Sequence, residues 1–270
     1  MTDMIVREYR PEDIPALSAL WARVFGDSVA LIGDFFRLLP DMGTGLAAEA
    51  DGEIAGAAYI ITGMELADCG NRPPVCGYIY AVAVEERFRG LGLGGRLTLA
   101  AAEKGRERGA SIICTLPAES ALYNWYEKLL GVQCALYRAE SRLPAAGGEP
   151  VMALSSTEYM LWRETMLRGR CRLRLSNPSL EFQRLLCREY GGGFFAAGGC
   201  VGAAYREGDE ALIRELIGPE EARPRCAAAI AAHLGAKYAL LYTPAPAGRP
   251  YIAALPGAIP PGCVWNLSFD

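Results

Sequence analysis

The sequence predicts an α/β (α+β) chain of two halves, each a sheet flanked by helices. Three observations carry that prediction. A chain of 270 residues, at about 150 residues per domain, suggests two domains. Apolar periodicity gives the order βααβββαβαβ up to about residue 143, and the remainder repeats helices, three strands, a helix and a strand. Between them, Pro144-Ala145-Ala146-Gly147-Gly148-Glu149-Pro150 is the clearest linker in the chain. The predicted division is therefore 1–143, a linker at 144–152, and 153–270.

The elements follow in order. Met4 to Tyr9 alternates like a short strand, and Pro11-Glu12-Asp13 suits a first helical turn before Ile14, Leu17, Leu20, Trp21 and Val24 on one face. A second helix runs from Ser28 to about Leu39. Asp51-Gly52 between apolar runs predicts a hairpin of Gly45 to Ala50 with Glu53 to Thr62. Gly77 to Val84 is a strand, a glycine-rich turn feeds a helix from about Gly95 to Arg108, and Gly109 is placed as its cap. Ala110 to Leu116 reads as strand, Ser120 to Leu130 as helix, and Val132 to Arg142 as strand. In the second half, Ser155 to Leu167 and Pro178 to Tyr190 are predicted helices. Strands at Gly193 to Ala197, Gly199 to Arg206 and Ala211 to Leu216 follow. An Ala-rich helix from about Glu220 to Leu234 and a strand at Tyr238 to Tyr242 complete the pattern.

Composition excludes several function classes. The chain is 51% hydrophobic and carries a net charge of −4, so nothing electrostatic favours nucleic acid or an acidic membrane as partner. Only Lys104, Lys128 and Lys237 are lysines; with the Ala and Gly richness, the Arg excess reads as compositional bias. Nine cysteines, an odd number with no CxxC pair, argue against a disulfide framework and a zinc ribbon and predict reduced thiols. His233 is the only histidine, which excludes multi-histidine metal sites and disfavours a His-based triad; it is expected near the last turn of its helix. No basic-then-apolar leader and no apolar run of about 18 residues is present, so the expected location is cytoplasmic with no membrane partner.

The most informative stretch is Val82-Ala83-Val84-Glu85-Glu86-Arg87-Phe88-Arg89-Gly90-Leu91-Gly92-Leu93-Gly94-Gly95-Arg96-Leu97. A strand runs into a loop with glycines at 90, 92, 94 and 95, and the loop opens a helix. Backbone N–H groups unobstructed by side chains, backed by a helix N-terminus, suit a pyrophosphate. The dinucleotide fingerprint is met only loosely, because this loop follows a hairpin and several strands rather than a first strand. The P-loop pattern fails for want of Gly-Lys-Ser/Thr.

Those residues resemble the acyl-CoA-binding motif of the GCN5-related N-acetyltransferases (GNAT), Arg/Gln-x-x-Gly-x-Gly/Ala after a Val-x-Val strand. In element order the likeness spans 1 to about 143, including Arg10-Pro11-Glu12-Asp13. It implies two GNAT-like domains, each a mixed, mostly antiparallel sheet flanked by helices, in tandem. It also implies acetyl-CoA as cosubstrate, with no metal. Arg89, Gly90, Leu91, Gly92, Leu93 and Gly94, with Gly95, would wrap the pyrophosphate. Val82, Ala83 and Val84 would meet the pantetheine arm and thioester, and the Val84 N–H the developing oxyanion.

Acetyl transfer to an amine needs an uncharged nucleophile, oxyanion stabilisation and a proton for the departing thiolate. Tyr126-Glu127-Lys128-Leu129-Leu130-Gly131-Val132 is similar to the family's Tyr-Glu-Lys-x-Gly-Phe with one residue inserted, which implies Tyr126 as general acid, with Tyr123 as second choice. The family's fourth-strand glutamate corresponds to Tyr80, and no carboxylate lies between Gly77 and Val84. The base is therefore a water held by Tyr78, Tyr80 or a carboxylate elsewhere, with Glu119 and Ser120 as candidates.

In the second half, Gly218-Pro219-Glu220-Glu221-Ala222-Arg223-Pro224 stands where the cradle would be, and its Glu pair would repel a pyrophosphate. That half resembles a degenerate second copy, expected to wall the acceptor pocket or make a subunit contact such as a homodimer. The basic run Arg168 to Arg174 reads first as a carboxylate-pairing or solvated face and second as an anion site. The implied activity is transfer of an acetyl group to a primary amine of a small molecule or peptide through a ternary complex. The alternative is a non-catalytic acyl-CoA sensor. Trp21, Phe25, Phe35 and Phe36 are expected to line the acceptor pocket.

Overall fold

A computed structural model describes residues 4–269. In chain order the elements are β1 (Met4–Glu8), α1 (Ile14–Phe25), α2 (Val29–Met42), β2 (Gly43–Ala50), β3 (Glu53–Ile61), β4 (Met64–Ala67), β5 (Cys76–Val84), α3 (Leu93–Glu107), β6 (Ile112–Thr115), α4 (Ser120–Leu130) and β7 (Gln133–Cys134). There follow β8 (Tyr137–Pro144), β9 (Val151–Leu154), α5 (Ser156–Met166), β10 (Arg172–Leu175), α6 (Asn177–Glu189), β11 (Gly193–Ala197), β12 (Cys200–Glu207) and β13 (Glu210–Ile217). The chain closes with α7 (Arg223–His233), β14 (Tyr238–Ala245), β15 (Arg249–Pro250) and β16 (Ala253–Ala254). Two compact units result: residues 1–135 with 174–179 and 252–260, and residues 136–173 with 180–251 and 261–270.

The first unit holds a sheet in the order β1-β2-β3-β5-β6-β16-β7. Its elements start and stop where the local chemistry dictates. Ser28 accepts from the Leu31 N–H to cap α2, a contact whose loss typically costs about 1 kcal/mol. Gly26 and Gly131 end α1 and α4 in the left-handed region. Asp51 and Gly52, at φ 52° and 80°, make the tight turn joining β2 to β3. On one face Leu46, Ile60 and Ile79 pack on Leu93, Leu97, Ala101 and Ala102 of α3. An aromatic cluster brings together Trp21, Phe35, Phe36, Tyr59 and Tyr80, with Trp21 centred 4.6 Å from Phe35, 5.2 Å from Tyr59 and 5.5 Å from Tyr80.

The second unit has the sheet order β15-β8-β14-β13-β12-β11-β9, with β13 and β14 parallel and their neighbours antiparallel. Helix α7 lays Cys226, Ala227, Ile230 and Ala231 against Phe195, Ala204, Ile213 and Leu241. The small side chains of this Ala-rich helix set its packing surface. His233, in its last turn, meets the Phe195 ring edge-on at 5.5 Å. Tyr159, Arg163 and Glu215 form a buried polar group: Arg163 donates to Glu215 at 2.7 and 3.1 Å and to the Leu173 carbonyl at 2.7 Å, and the Tyr159 hydroxyl donates to Glu215.

Several sequence expectations differ from this architecture. Strand β8, read as the close of the first half, pairs with β14 in the second sheet, and β16 from the C-terminal region joins the first. The Pro144–Pro150 stretch joins β8 to β9 of one sheet; proline and glycine mark any polar connection, within a domain or between two. The end of the basic run becomes β10, and there Arg172 is buried against Glu164 at 2.6 Å, the carboxylate-pairing reading. Seven cysteines are free thiols, at 76, 114, 134, 187, 200, 226 and 263, which leaves Cys69 and Cys171 outside the expected reduced set. Among the described residues no helix is long and apolar enough to cross a membrane.

Candidate active site

Strands β5 and β6 run parallel and pair over four positions, Cys76 with Ile112 through Ile79 with Thr115. Beyond that point β6 ends, while β5 continues for five residues, Tyr80 to Val84, held only by β3. The sheet therefore opens along one edge of β5. Two details aim that edge. First, the register against β3 shifts between Ala57 and Tyr59, and Ala81 sits at φ 47°, a bulge that sets two residues of β5 against one of β3. A non-glycine residue in this region costs energy and occurs where surrounding structure imposes it. Second, the Glu85 N–H donates to the Ala55 carbonyl at 2.9 Å, so the preceding Val84 presents its N–H and C=O to the opposite, open side. The Val84 carbonyl accepts from Arg89 Nε at 3.2 Å.

The glycine loop stands directly after this strand. A single turn of 3-10 helix at Glu86–Phe88 buries Phe88, which anchors the loop to the core beneath α3. Gly90 and Gly92 both adopt left-handed backbone, φ 76° and 77°, and a Cβ on either would meet no atom within 4 Å. Gly92 is the N-cap of α3, whose first turn has no side-chain cap. The space above the loop is thus open, and the N–H groups there are free of covering side chains. Such a concavity binds anions through oriented backbone dipoles. The residues present fit the pyrophosphate of an acyl-CoA.

Tyr126 occupies the other wall. It is buried, 7% exposed, and packs with Val132 and Ala253. Its hydroxyl is hydrogen-bonded to Thr115, whose own hydroxyl donates to the Ile79 carbonyl at 3.0 Å. Ile79 and Thr115 are the last pair before the strands part, so this chain of hydroxyls ends at the point of opening. Burial holds the phenol above the ordinary tyrosine value, outweighing the Thr115 contact. Tyr80 is half-buried at the first position of β5 beyond the pairing with β6, opposite Tyr59 of β3. Glu119 is exposed at the N-cap of α4, where it makes no capping bond, and Tyr123 is half-buried on the same helix.

Some residues fall elsewhere than expected. Trp21, Phe35 and Phe36 are core side chains of the aromatic cluster rather than a pocket lining, and only Phe25 is exposed, at 43%. The reason is mutual: rings facing one another across α1, α2 and the sheet bury more area together than a cavity would allow. Three features of the site went unread in the sequence. Thr115 carried a signal, as a polar residue ending an apolar strand. The bulge at Ala81 and the two-residue strand β16, paired with β6 at Thr115 and Cys114, carried none.

A parallel strand pair that parts, a bulge at the parting, and a glycine-rich turn at the next helix meet at one edge of this unit. Residues 4–132 match the family model for the acetyltransferase (GNAT) family, and the chain carries a GNAT acetyltransferase domain over that span. Solved structures share the fold over nearly the whole chain. A GCN5-related N-acetyltransferase from Kribbella flavida is 16% identical, with 94% of this chain and 71% of that one covered at a TM-score of 0.69. A conserved protein of Enterococcus faecalis is 12% identical, with 94% and 72% covered at 0.72. A GCN5-related N-acetyltransferase from Anabaena variabilis is 13% identical, with 93% and 72% covered at 0.65. No curated protein matches the sequence.

Proposed function

We propose that the protein is an acetyl-CoA-dependent N-acetyltransferase acting on a primary amine of a small molecule or peptide, by direct attack in a ternary complex. The observation that supports this best is the alignment of three features on one open strand edge: the exposed backbone of Val84, the cradle at Gly90 and Gly92, and the Tyr126 hydroxyl at the point of parting. Acetyl-CoA supplies the activated acetyl thioester. Arg89, Gly90, Leu91, Gly92, Leu93, Gly94 and Gly95 hold its pyrophosphate. The backbone of Val82, Ala83 and Val84 holds the pantetheine arm, and the Val84 N–H stabilises charge growing on the carbonyl oxygen. Tyr126 gives its proton to the departing sulfur and is protonated across the neutral range. A water held by Tyr80 takes the proton of the amine, with Glu119 as the carboxylate alternative. The second unit is a copy of the fold that has lost the cradle.

The test is binding before turnover. Saturating acetyl-CoA is expected to raise the melting temperature of the full chain, and Gly92→Glu to abolish that rise while the circular dichroism is kept. The substitution puts a carboxylate into the cradle and a side chain at a backbone angle that disfavours one. No shift in the wild type sinks the reading. Binding without release of free thiol across an amine library would favour the sensor instead.

A further inference from the structure

The two seven-stranded sheets end in four edge strands, and three of these are guarded against further pairing. In the first unit β1 carries Arg7 and Glu8, and β7 is only two residues long. In the second unit β15 is the dipeptide Arg249-Pro250, a charge followed by a residue without an N–H. The fourth edge, β9, is Val151-Met152-Ala153-Leu154, uncharged and apolar along its whole length. Among the described strands it pairs with β11 alone, from Leu154 opposite Phe194 to Val151 opposite Ala197. Alternate residues of such a strand direct their N–H and C=O groups away from the sheet, so β9 offers an unguarded row of main-chain donors and acceptors. The helix on this face is also apolar outward. Tyr159 of α5 stacks on Phe194 with ring centres 4.1 Å apart, so Phe194 and Leu154 opposite it face α5. Met152, two residues from Leu154, shares that face and is 61% exposed. On α5 itself Leu161 and Trp162 are 67% and 50% exposed, and the Thr165 hydroxyl beside them is spent on the Leu161 carbonyl at 2.7 Å.

The charges on α5 identify what fits here. Exposed Glu158 lies in its first turn, and exposed Arg168 and Arg170 follow its last, so the helix is acidic at one end and basic at the other. Two copies of a helix related by a two-fold axis lie antiparallel, and each acidic end then meets a basic end. A strand also pairs with its own two-fold copy in the antiparallel sense. One symmetry operation thus satisfies both the strand edge and the charge pattern. The geometry points to a second copy of this chain as the occupant of the β9 edge: β9 pairs with β9 to continue the sheet across the axis, and α5 packs beside α5. Pro150, which has no N–H, and Ser155, the cap of α5, bound the usable edge to four residues. Main-chain bonds over so short a strand need support, and Met152, Leu161 and Trp162 supply it as apolar area removed from water. The surface belongs to the second unit and stands whether or not the first transfers acetyl groups. It gives the expected subunit contact of that half a definite place.

Sedimentation equilibrium of the full chain is expected to show a monomer–dimer equilibrium with a dissociation constant on the order of 10 µM or tighter. Trp162→Glu puts a charge into the apolar stripe and is expected to weaken the dimer by about tenfold or more, with the circular dichroism unchanged. Met152→Glu, on the strand itself, is expected to do the same. Both side chains are exposed, so neither variant disturbs a core. Amide hydrogen exchange of the wild type gives a readout that needs no substitution: the β9 amides are expected to gain protection as the concentration is raised through the dissociation constant. A chain that stays monomeric at about 100 µM overturns the proposal. So does association that is unchanged in both folded variants, or protection gained at another strand edge in place of β9.

Discussion

In the reaction proposed above, Tyr126 makes a single proton transfer, and its surroundings suit that role. Its body is buried among Val132 and Ala253, and its hydroxyl is fixed by Thr115 at the last pair of β5 and β6. Tyr126→Phe keeps the packing and removes the proton. It is expected to lower kcat by on the order of 100-fold or more while the acetyl-CoA-induced rise in melting temperature persists. The pH dependence has a definite sign. An acid must be protonated to act, so the rate is expected to fall as pH rises through the Tyr126 pKa, which burial sets above the usual value of about 10. That alkaline limb should vanish in Tyr126→Phe; a limb that remains assigns the acid to another group. The glycine-rich turn was legible at this scale because a φ of 77° at position 92 strongly favours glycine. The left-handed angle of Ala81 was not, since alanine announces nothing about its backbone and the bulge is imposed by the neighbouring strand.

Elements were legible where their ends carry their own chemistry. Helix α4 begins and ends as its periodicity and Gly131 predict, and the β2–β3 turn falls on Asp51-Gly52. Strands β4, β9, β10, β15 and β16 were missed, because runs of two to four residues give no period to detect and exist only through their partners. The same dependence on partners governs the polar core of the second unit. Glu215 is fully buried on β13 and is met by both Arg163 and Tyr159 of α5, so this one carboxylate fastens the helix to the sheet. Glu215→Gln keeps the shape and leaves Arg163 as an uncompensated buried charge. It is expected to cost about 3–5 kcal/mol, read as a fall in the urea midpoint at unchanged slope. A shift within experimental error would show that Arg163 finds another acceptor. Ser155, whose hydroxyl accepts from the Glu158 N–H to cap the same helix, is the mild comparison. Its Ala variant should cost about 1 kcal/mol.

At the scale of the whole molecule, the units are not continuous in sequence. The first takes residues 252–260 from the C-terminal region, and there Ala253 pairs with both Thr115 of β6 and Cys134 of β7, so β16 is the link that ties β7 into the sheet. A cut at 143, where composition places the boundary, would remove that link. It would also leave Tyr137 to Leu143 as a strand whose partner β14 is gone. Both effects expose unpaired backbone on a strand edge, the usual template for aggregation. A fragment of residues 1–143 is therefore expected to be aggregated or poorly folded by size exclusion and circular dichroism, and to give no melting shift with acetyl-CoA. The cradle, α3 and Tyr126 are all retained in that fragment, so its failure would locate the defect in the sheet and not in the binding residues. Adding a peptide of residues 250–262 in trans is expected to restore part of the shift, because the missing strand supplies main-chain hydrogen bonds that need no covalent continuity. A monomeric, acetyl-CoA-binding fragment without the peptide would show instead that the first unit closes on its own.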